Sequence, residues 1–125
     1  MKGSGDGRLA TGRAGEATAL EYLTQKGYVL ITRNYRCRLG EVDLIMKQGE
    51  KLAFIEVRSR SGEGFGLPQE SVRAEKVARI QRIAQYFLSR ELRGNWQGPV
   101  NLEMVAVRFG PGGTLKKIEH ITDLS

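Results

Sequence analysis

Two neighbouring apolar segments of this chain each hold a carboxylate where a β-strand would bury it. Gly40-Glu41-Val42-Asp43-Leu44-Ile45 is the first, and Phe54-Ile55-Glu56-Val57-Arg58 is the second. Val, Leu, Ile and Phe at this density favour strands. An unpaired carboxylate buried in such a strand is costly, so something positive must meet Asp43 and Glu56. Gln48-Gly49-Glu50 between the two runs reads as a hairpin turn. The strands then become antiparallel neighbours, and their ends bring Asp43 towards Glu56. A hard divalent cation is the direct candidate for the positive group.

The remaining elements follow from period and punctuation. Residues 1–11, MKGSGDGRLAT, read as a flexible, Gly-rich arm. Residues 12–125 read as a single domain. The spacing of Ala19, Leu20 and Leu23 predicts a helix from Gly12 to Lys26, stopped by Gly27. A strand starts at Tyr28-Val29-Leu30-Ile31, before the basic stretch Arg33-Asn34-Tyr35-Arg36-Cys37-Arg38. Strands over Glu41–Met46 and Leu52–Arg58 come next, then a Gly-rich loop over Ser59–Gln69. A second helix is expected from Ser71, as N-cap, to Leu92, with Val72, Ile80, Ile83 and Phe87 inward. Strands Val100–Phe109 and Leu115–Ile121 flank the turn Gly110-Pro111-Gly112-Gly113. The order α-β-β-β-α-β-β predicts a mixed five-stranded sheet with helices packed on it.

Charge narrows the partner. The chain has 20 basic and 14 acidic residues, a net charge of +6 and a pI near 9.8. Such a surface favours polyanions, nucleic acid foremost. Cys37 is the only cysteine, which leaves no disulfide framework and fits a reducing cytoplasm. No apolar run approaches the roughly 18 residues of a membrane span. The Gly-rich segments lack Walker spacing, so nucleotide hydrolysis is not indicated.

The inward-facing ions suggest the chemistry. Residues i and i+2 of a strand share a face, so Glu41 points with Asp43, and Glu56 with Arg58. Helical spacing puts Glu16 on the apolar face of the first helix and Lys76 on that of the second. Convergence of these groups would make an acidic metal site with a cation beside it. A metal in such a site lowers the pKa of a bound water and stabilises charge developing on a phosphate. A Lys or Arg pairs with that phosphate. Taken singly, each residue has a plainer role. Glu41 and Asp43 can pair with Arg33, Arg36 or Arg38, and Glu56 with Arg58 or Arg36. Lys76 can snorkel at the core rim, and Glu16 can favour a helix dipole. Arg33, Arg36, Arg38 and Arg60 are candidate phosphate contacts or a solvated basic face. Tyr35 and Phe65 can stack on bases or pack. Trp96 and His120 suggest no partner.

These segments carry a resemblance. Asp43, followed after about a dozen residues by Glu56-Val57-Arg58 at a strand end, resembles the Asp…Glu-x-Lys signature of restriction-endonuclease-like nucleases. Gly15-Glu16, Tyr22-Leu23, Gly27-Tyr28, Arg33-Asn34, Gly40–Ile45, Phe54–Arg60, Phe65-Gly66 and Lys76 resemble the YraN family of small bacterial proteins, over residues 12–109. The resemblance implies an α/β, restriction-endonuclease-like fold close to that of Holliday-junction resolvases. It implies DNA as substrate, branched DNA and a homodimer included. It implies Mg²⁺ or Mn²⁺ on Asp43, Glu56 and the Val57 carbonyl, with Glu16 completing the acidic site. Arg58 takes the position of the usual lysine and would hold the scissile phosphate. Arginine does not shed its proton as lysine can, so Lys76 would supply the missing amine. Glu103 stands where the family usually carries an Asp.

Overall fold

The computed structural model describes the backbone of residues 4–61 and 74–124, and the side chains of residues 12–61 and 74–124. Helix α1 spans Ser4–Gln25, followed by β1 (Val29–Cys37), β2 (Gly40–Gln48), β3 (Lys51–Ser61), α2 (Ala74–Arg90), β4 (Val100–Phe109) and β5 (Leu115–Ile121). The sheet order is β1-β2-β3-β4-β5. Among the described strands only β3 and β4 run parallel, because α2 carries the chain back across the sheet between them. This mixed α/β arrangement agrees with the restriction-endonuclease-like fold that the motifs imply.

The sheet is the middle layer of three. Ala19 and Leu23 of α1 pack on Leu44, Met46, Ala53, Ile55, Val105 and Val107. Ile80, Ile83, Ala84 and Phe87 of α2 pack on the other face, against Val42, Ile45, Leu52, Phe54 and Leu102. The central strands are buried on both faces, which is why they read as nearly continuous apolar runs. No helix among the described residues is long and apolar enough to cross a membrane.

Three boundaries differ from expectation. Helix α1 starts at Ser4, within the segment read as an arm, rather than at Gly12. The basic stretch after Ile31, as far as Cys37, belongs to β1, a strand at the sheet edge. There its charges face water, and a bulge between Leu30 and Thr32 interrupts the ladder, two common protections of an edge strand. Strand β3 runs on to Ser61 rather than ending at Arg58, and α2 is described from Ala74. The expected N-cap Ser71, Val72, Phe65 and most of the Gly-rich loop lie outside the described residues.

Gly27 does end α1, at φ 94°. The N–H groups of Gly27 and Tyr28 donate to the Thr24 and Leu23 carbonyls, each at 3.0 Å. Gly15 answers a different need, since α1 crosses β3 at this residue. A Cβ there would lie 2.7 Å from the Cβ of Ser59 and closer still to its hydroxyl. Gly15→Ala is expected to lower stability by about 1–3 kcal/mol, by forcing helix and strand apart. Urea unfolding checks this, and an unchanged midpoint would remove the close approach as the reason for glycine.

Candidate functional site

Strands β2 and β3 pair from Gln48↔Lys51 up to Leu44↔Ile55 and then part. Asp43 and Glu56 are the next positions in that register. The two acids therefore stand at a fork in the sheet, one on each branch. The β2 pleat also breaks here. Val42 and Ile45 both lie in the α2-side core, while Leu44 lies in the α1-side core. Strict alternation would have placed Val42 with Leu44. Opposite Asp43 in the β1–β2 register is Asn34, whose φ is 54°. Both strands are thus irregular at the level of Asp43, and its carboxylate is aimed into the gap rather than into a core.

That carboxylate has a definite partner. The Val57 N–H donates to Asp43 Oδ2 at 2.7 Å. It replaces the cross-strand bond that β3 loses when β2 departs. Burial pushes the Asp43 carboxyl up to about 7, and the negative charges of Glu56, Glu16 and Glu41 push the same way, against the Val57 hydrogen bond. The fork is therefore a place where negative charge is in excess and positive charge is favourable.

The other expected residues surround the fork. Lys76, from the first turn of α2, lies 2.8 Å from Glu56 as an ion pair. Arg58 follows Glu56 by two residues on β3 and is half-buried. Glu16 reaches in from α1, 3.3 Å from Arg33 and 3.4 Å from the Asn34 amide. Arg36 pairs across the β1–β2 hairpin with Glu41 at 3.4 Å. Arg38 is exposed in the hairpin turn, and Arg60 is exposed near the end of β3. Asp43, Glu56, Val57 and Lys76 are thus brought together. Glu16 and Glu41 stand at the margin, each held by an arginine. Among the described residues no three His, Cys, Asp or Glu side chains converge as a ready metal cage.

The donor set still fits a hard cation. Asp43 and Glu56 offer two carboxylates at the fork, beside the Val57 backbone. Magnesium is usually held by one or two carboxylates, with the remaining positions left to water and phosphate oxygen. Cys37 packs against the α2-side core, and His120 belongs to a separate cluster, so no soft ligand competes.

That second cluster lies on the α1 face. Glu103 is fully buried. Its Oε1 accepts from Tyr28 Oη at 3.0 Å and lies 2.8 Å from His120 Nε2. Lys51 Nζ sits 2.7 Å from Oε2 and donates to Tyr28 Oη at 2.8 Å. Lys26 Nζ lies 3.2 Å from His120 Nδ1. An ammonium can only donate, so Nδ1 accepts and Nε2–H donates to Glu103. Burial pushes the Glu103 carboxyl up, but hydrogen bonds from His120, Lys51 and Tyr28 outweigh it and hold it below the ordinary value. The expectation that His120 has no partner is corrected here. A carboxylate inside Asn101-Leu102-Glu103-Met104-Val105 was the available signal, of the same kind that marks Asp43. Trp96 also has partners: it packs against the α2-side core and its indole donates to the Pro99 carbonyl at 3.3 Å.

Comparison with known proteins places this architecture. The profile of the uncharacterised protein family UPF0102 matches residues 15–109, which include the fork and Glu103. A UPF0102 protein of Pelotomaculum thermopropionicum is 40% identical over 115 residues, covering 92% of this chain and 94% of its own length. One from Moorella thermoacetica is 51% identical over 88 residues, 70% of this chain and 73% of its own. One from Methylococcus capsulatus is 44% identical over 113 residues, 90% and 89% of the respective chains. With matches of this extent around the forked sheet and its acidic pair, the chain belongs to the UPF0102 family, also known as YraN.

Proposed function

We propose that this protein is a cytoplasmic, metal-dependent nuclease that hydrolyses phosphodiester bonds in DNA, branched DNA included. The observation that carries the reading is the fork: Asp43 and Glu56 stand where β2 leaves β3, with Asp43 anchored on the Val57 N–H. Asp43, Glu56 and the Val57 carbonyl would hold Mg²⁺ or Mn²⁺. When bound, the ion supplies an acidified water and positive charge against the phosphate. Glu16 and Glu41 deepen the negative potential that draws the cation in. Lys76 neutralises Glu56 in the arrangement seen, and is the amine placed to pair with an incoming phosphate once Glu56 turns to the metal. A guanidinium is a phosphate clamp and not a proton carrier, and that is the role of Arg58.

Metal occupancy tests this reading. Mn²⁺ at about 100 times its Kd should add roughly 2.7 kcal/mol of stability by mass action. The wild type should melt several degrees higher with Mn²⁺, and Asp43→Asn and Glu56→Gln should not. No shift in the wild type at millimolar Mn²⁺ would count against the site. Arg58→Ala is expected to lower cleavage about 100-fold, as loss of one charge-stabilising donor does elsewhere, while the Mn²⁺ shift persists. Undiminished cleavage would remove Arg58 from the reaction.

Two observations favour a second reading, a DNA-binding protein on a nuclease scaffold. Glu56 is tied to Lys76 at 2.8 Å, and Arg58 stands where the nuclease signature has lysine. On that reading DNA binds with steep salt dependence and is never cut.

A further inference from the structure

The arginines singled out beside the fork are partly occupied. Arg33 is paired with Glu16, and Arg36 with Glu41. Helix α2 offers a contrast. Its sequence, AEKVARIQRIAQYFLSR, holds four basic residues and one acid, Glu75. Arg79, Arg82 and Arg90 are exposed, and among the described residues none of them forms an ion pair with a carboxylate.

Their placement is ordered. At about 100° per residue, Arg79, Arg82, Tyr86 and Arg90 fall within an arc of roughly 80°. This stripe lies on one flank of the buried face made by Ile80, Ile83, Ala84 and Phe87. The Arg90 guanidinium lies over the Tyr86 ring, 5.9 Å from its centroid. The Arg79 stem is braced on the β1–β2 turn, since a Cβ on Gly40 would lie 3.1 Å from Arg79 Cδ. One turn before Arg79 on the same helix is Lys76, which already touches Glu56 at the fork. The row of cations therefore begins at the candidate site and runs away from it along a rigid helix.

We infer that this α2 stripe is a docking track for the phosphate backbone of double-stranded DNA flanking the bond to be cut. The inference rests on the nuclease reading and adds the surface that positions its substrate. From Lys76 to Arg90 the helix rises about 21 Å. Duplex DNA rises about 3.4 Å per base pair on each strand, so the track spans about six base pairs on one side of the fork. A row of charge on a stiff helix, within an arc of roughly 120° once Lys76 is counted, fits a stiff duplex better than a flexible single strand. Arginine contacts to phosphate carry no base information, so the track gives register and affinity without sequence preference.

The test is fluorescence anisotropy of the full chain on labelled duplexes in EDTA, over a salt series. Wild type is compared with Arg79→Gln/Arg82→Gln/Arg90→Gln and with the corresponding triple lysine variant. Loss of three phosphate contacts should reduce the slope of log K against log salt by about 2.7 and weaken binding at least tenfold at low salt. The lysine variant should keep the wild-type slope. Wild-type affinity should rise with duplex length on one side of a scissile position and level off near six base pairs, and the glutamine variant should lose that dependence. If the glutamine triple does not fold by circular dichroism, the single variants serve, each reducing the slope by about 0.9. An unchanged slope in folded glutamine variants overturns the track and leaves the fork reading intact. Failure of the wild type to bind any duplex overturns the track, while the nuclease reading stands or falls on metal-dependent cleavage. Stronger binding to phosphatidylserine vesicles than to duplex overturns the assignment of DNA as the occupant.

Discussion

Asp43→Asn is expected to abolish metal-dependent cleavage and, in the absence of metal, to make the protein more stable at pH 8. Both effects have one origin. The Asp43 carboxyl is pushed from 3.8 up to about 7 by burial and by Glu56, Glu16 and Glu41. Its ionised form therefore opposes folding. Below pH 3.8 the group is neutral whether the chain is folded or unfolded, and its contribution is fully present. As pH rises towards and through 7, that contribution is lost. In a rigid, dry site the rise would correspond to roughly 4 kcal/mol. Water at a half-open fork reduces this to about 2 kcal/mol. Asparagine carries no charge, and its carbonyl can still accept the Val57 N–H. The variant should match the wild type in urea unfolding at pH 4 and exceed it by about 2 kcal/mol at pH 8. Saturating Mn²⁺ should reverse the order, because only the wild type gains from the cation. A less stable variant at pH 8 without metal would show that Asp43 is a structural acid and not a strained ligand.

Glu103→Ala should cost far more, about 3–5 kcal/mol, and lower the melting temperature by at least 10 °C. Glu103 is the only charged side chain in the described core that is fully buried. Its removal strands three groups together: Lys51 loses a partner at 2.7 Å, Tyr28 its acceptor at 3.0 Å, and His120 its partner at 2.8 Å. Glu103→Gln keeps the shape but leaves Lys51 without a counter-charge, so about 2 kcal/mol is expected. The pH dependence has the opposite sign to that of Asp43. Because the folded Glu103 carboxyl lies below its ordinary 4.5, its stabilisation is present above that pH and lost as pH falls through the folded value. Glu103→Gln should therefore flatten the acid limb of the stability curve. Urea unfolding from pH 3 to 8 measures both. A loss under 1 kcal/mol in Glu103→Ala would mean that the cluster contributes little.

These two acids also show what could be read from the chain. Strands β2 to β5 were legible because their apolar runs, nearly continuous in the central strands, are bounded by Gln48-Gly49-Glu50 and Gly110-Pro111-Gly112-Gly113. The pairing that makes a fork followed from the short hairpin. The start of α1 was not legible, because Gly3, Gly5 and Gly7 weaken any helical signal. The second half of β1 was hidden by its arginines, which an edge strand tolerates and a central strand would not. The partners of Glu103 were out of reach for a different reason. Lys51 and His120 lie far from it in sequence, and meet it only through the parallel register Ile55↔Glu103 and the antiparallel register Val105↔His120. Neither register is written in local pattern. The break in the β2 pleat was equally hidden, since it shows only in which core receives Val42 and which receives Leu44.

On the proposed reading, the fork cuts DNA. It is tested most directly by incubating single-stranded, duplex, flapped and four-way-junction DNA with the wild type and Asp43→Asn, in Mg²⁺, Mn²⁺ or EDTA. Cleavage is expected by the wild type with either metal, with none in EDTA and none by Asp43→Asn under any condition. Intact DNA in every lane with wild type, while the same substrates shift on a native gel, would contradict it and leave a protein that binds DNA without cutting it.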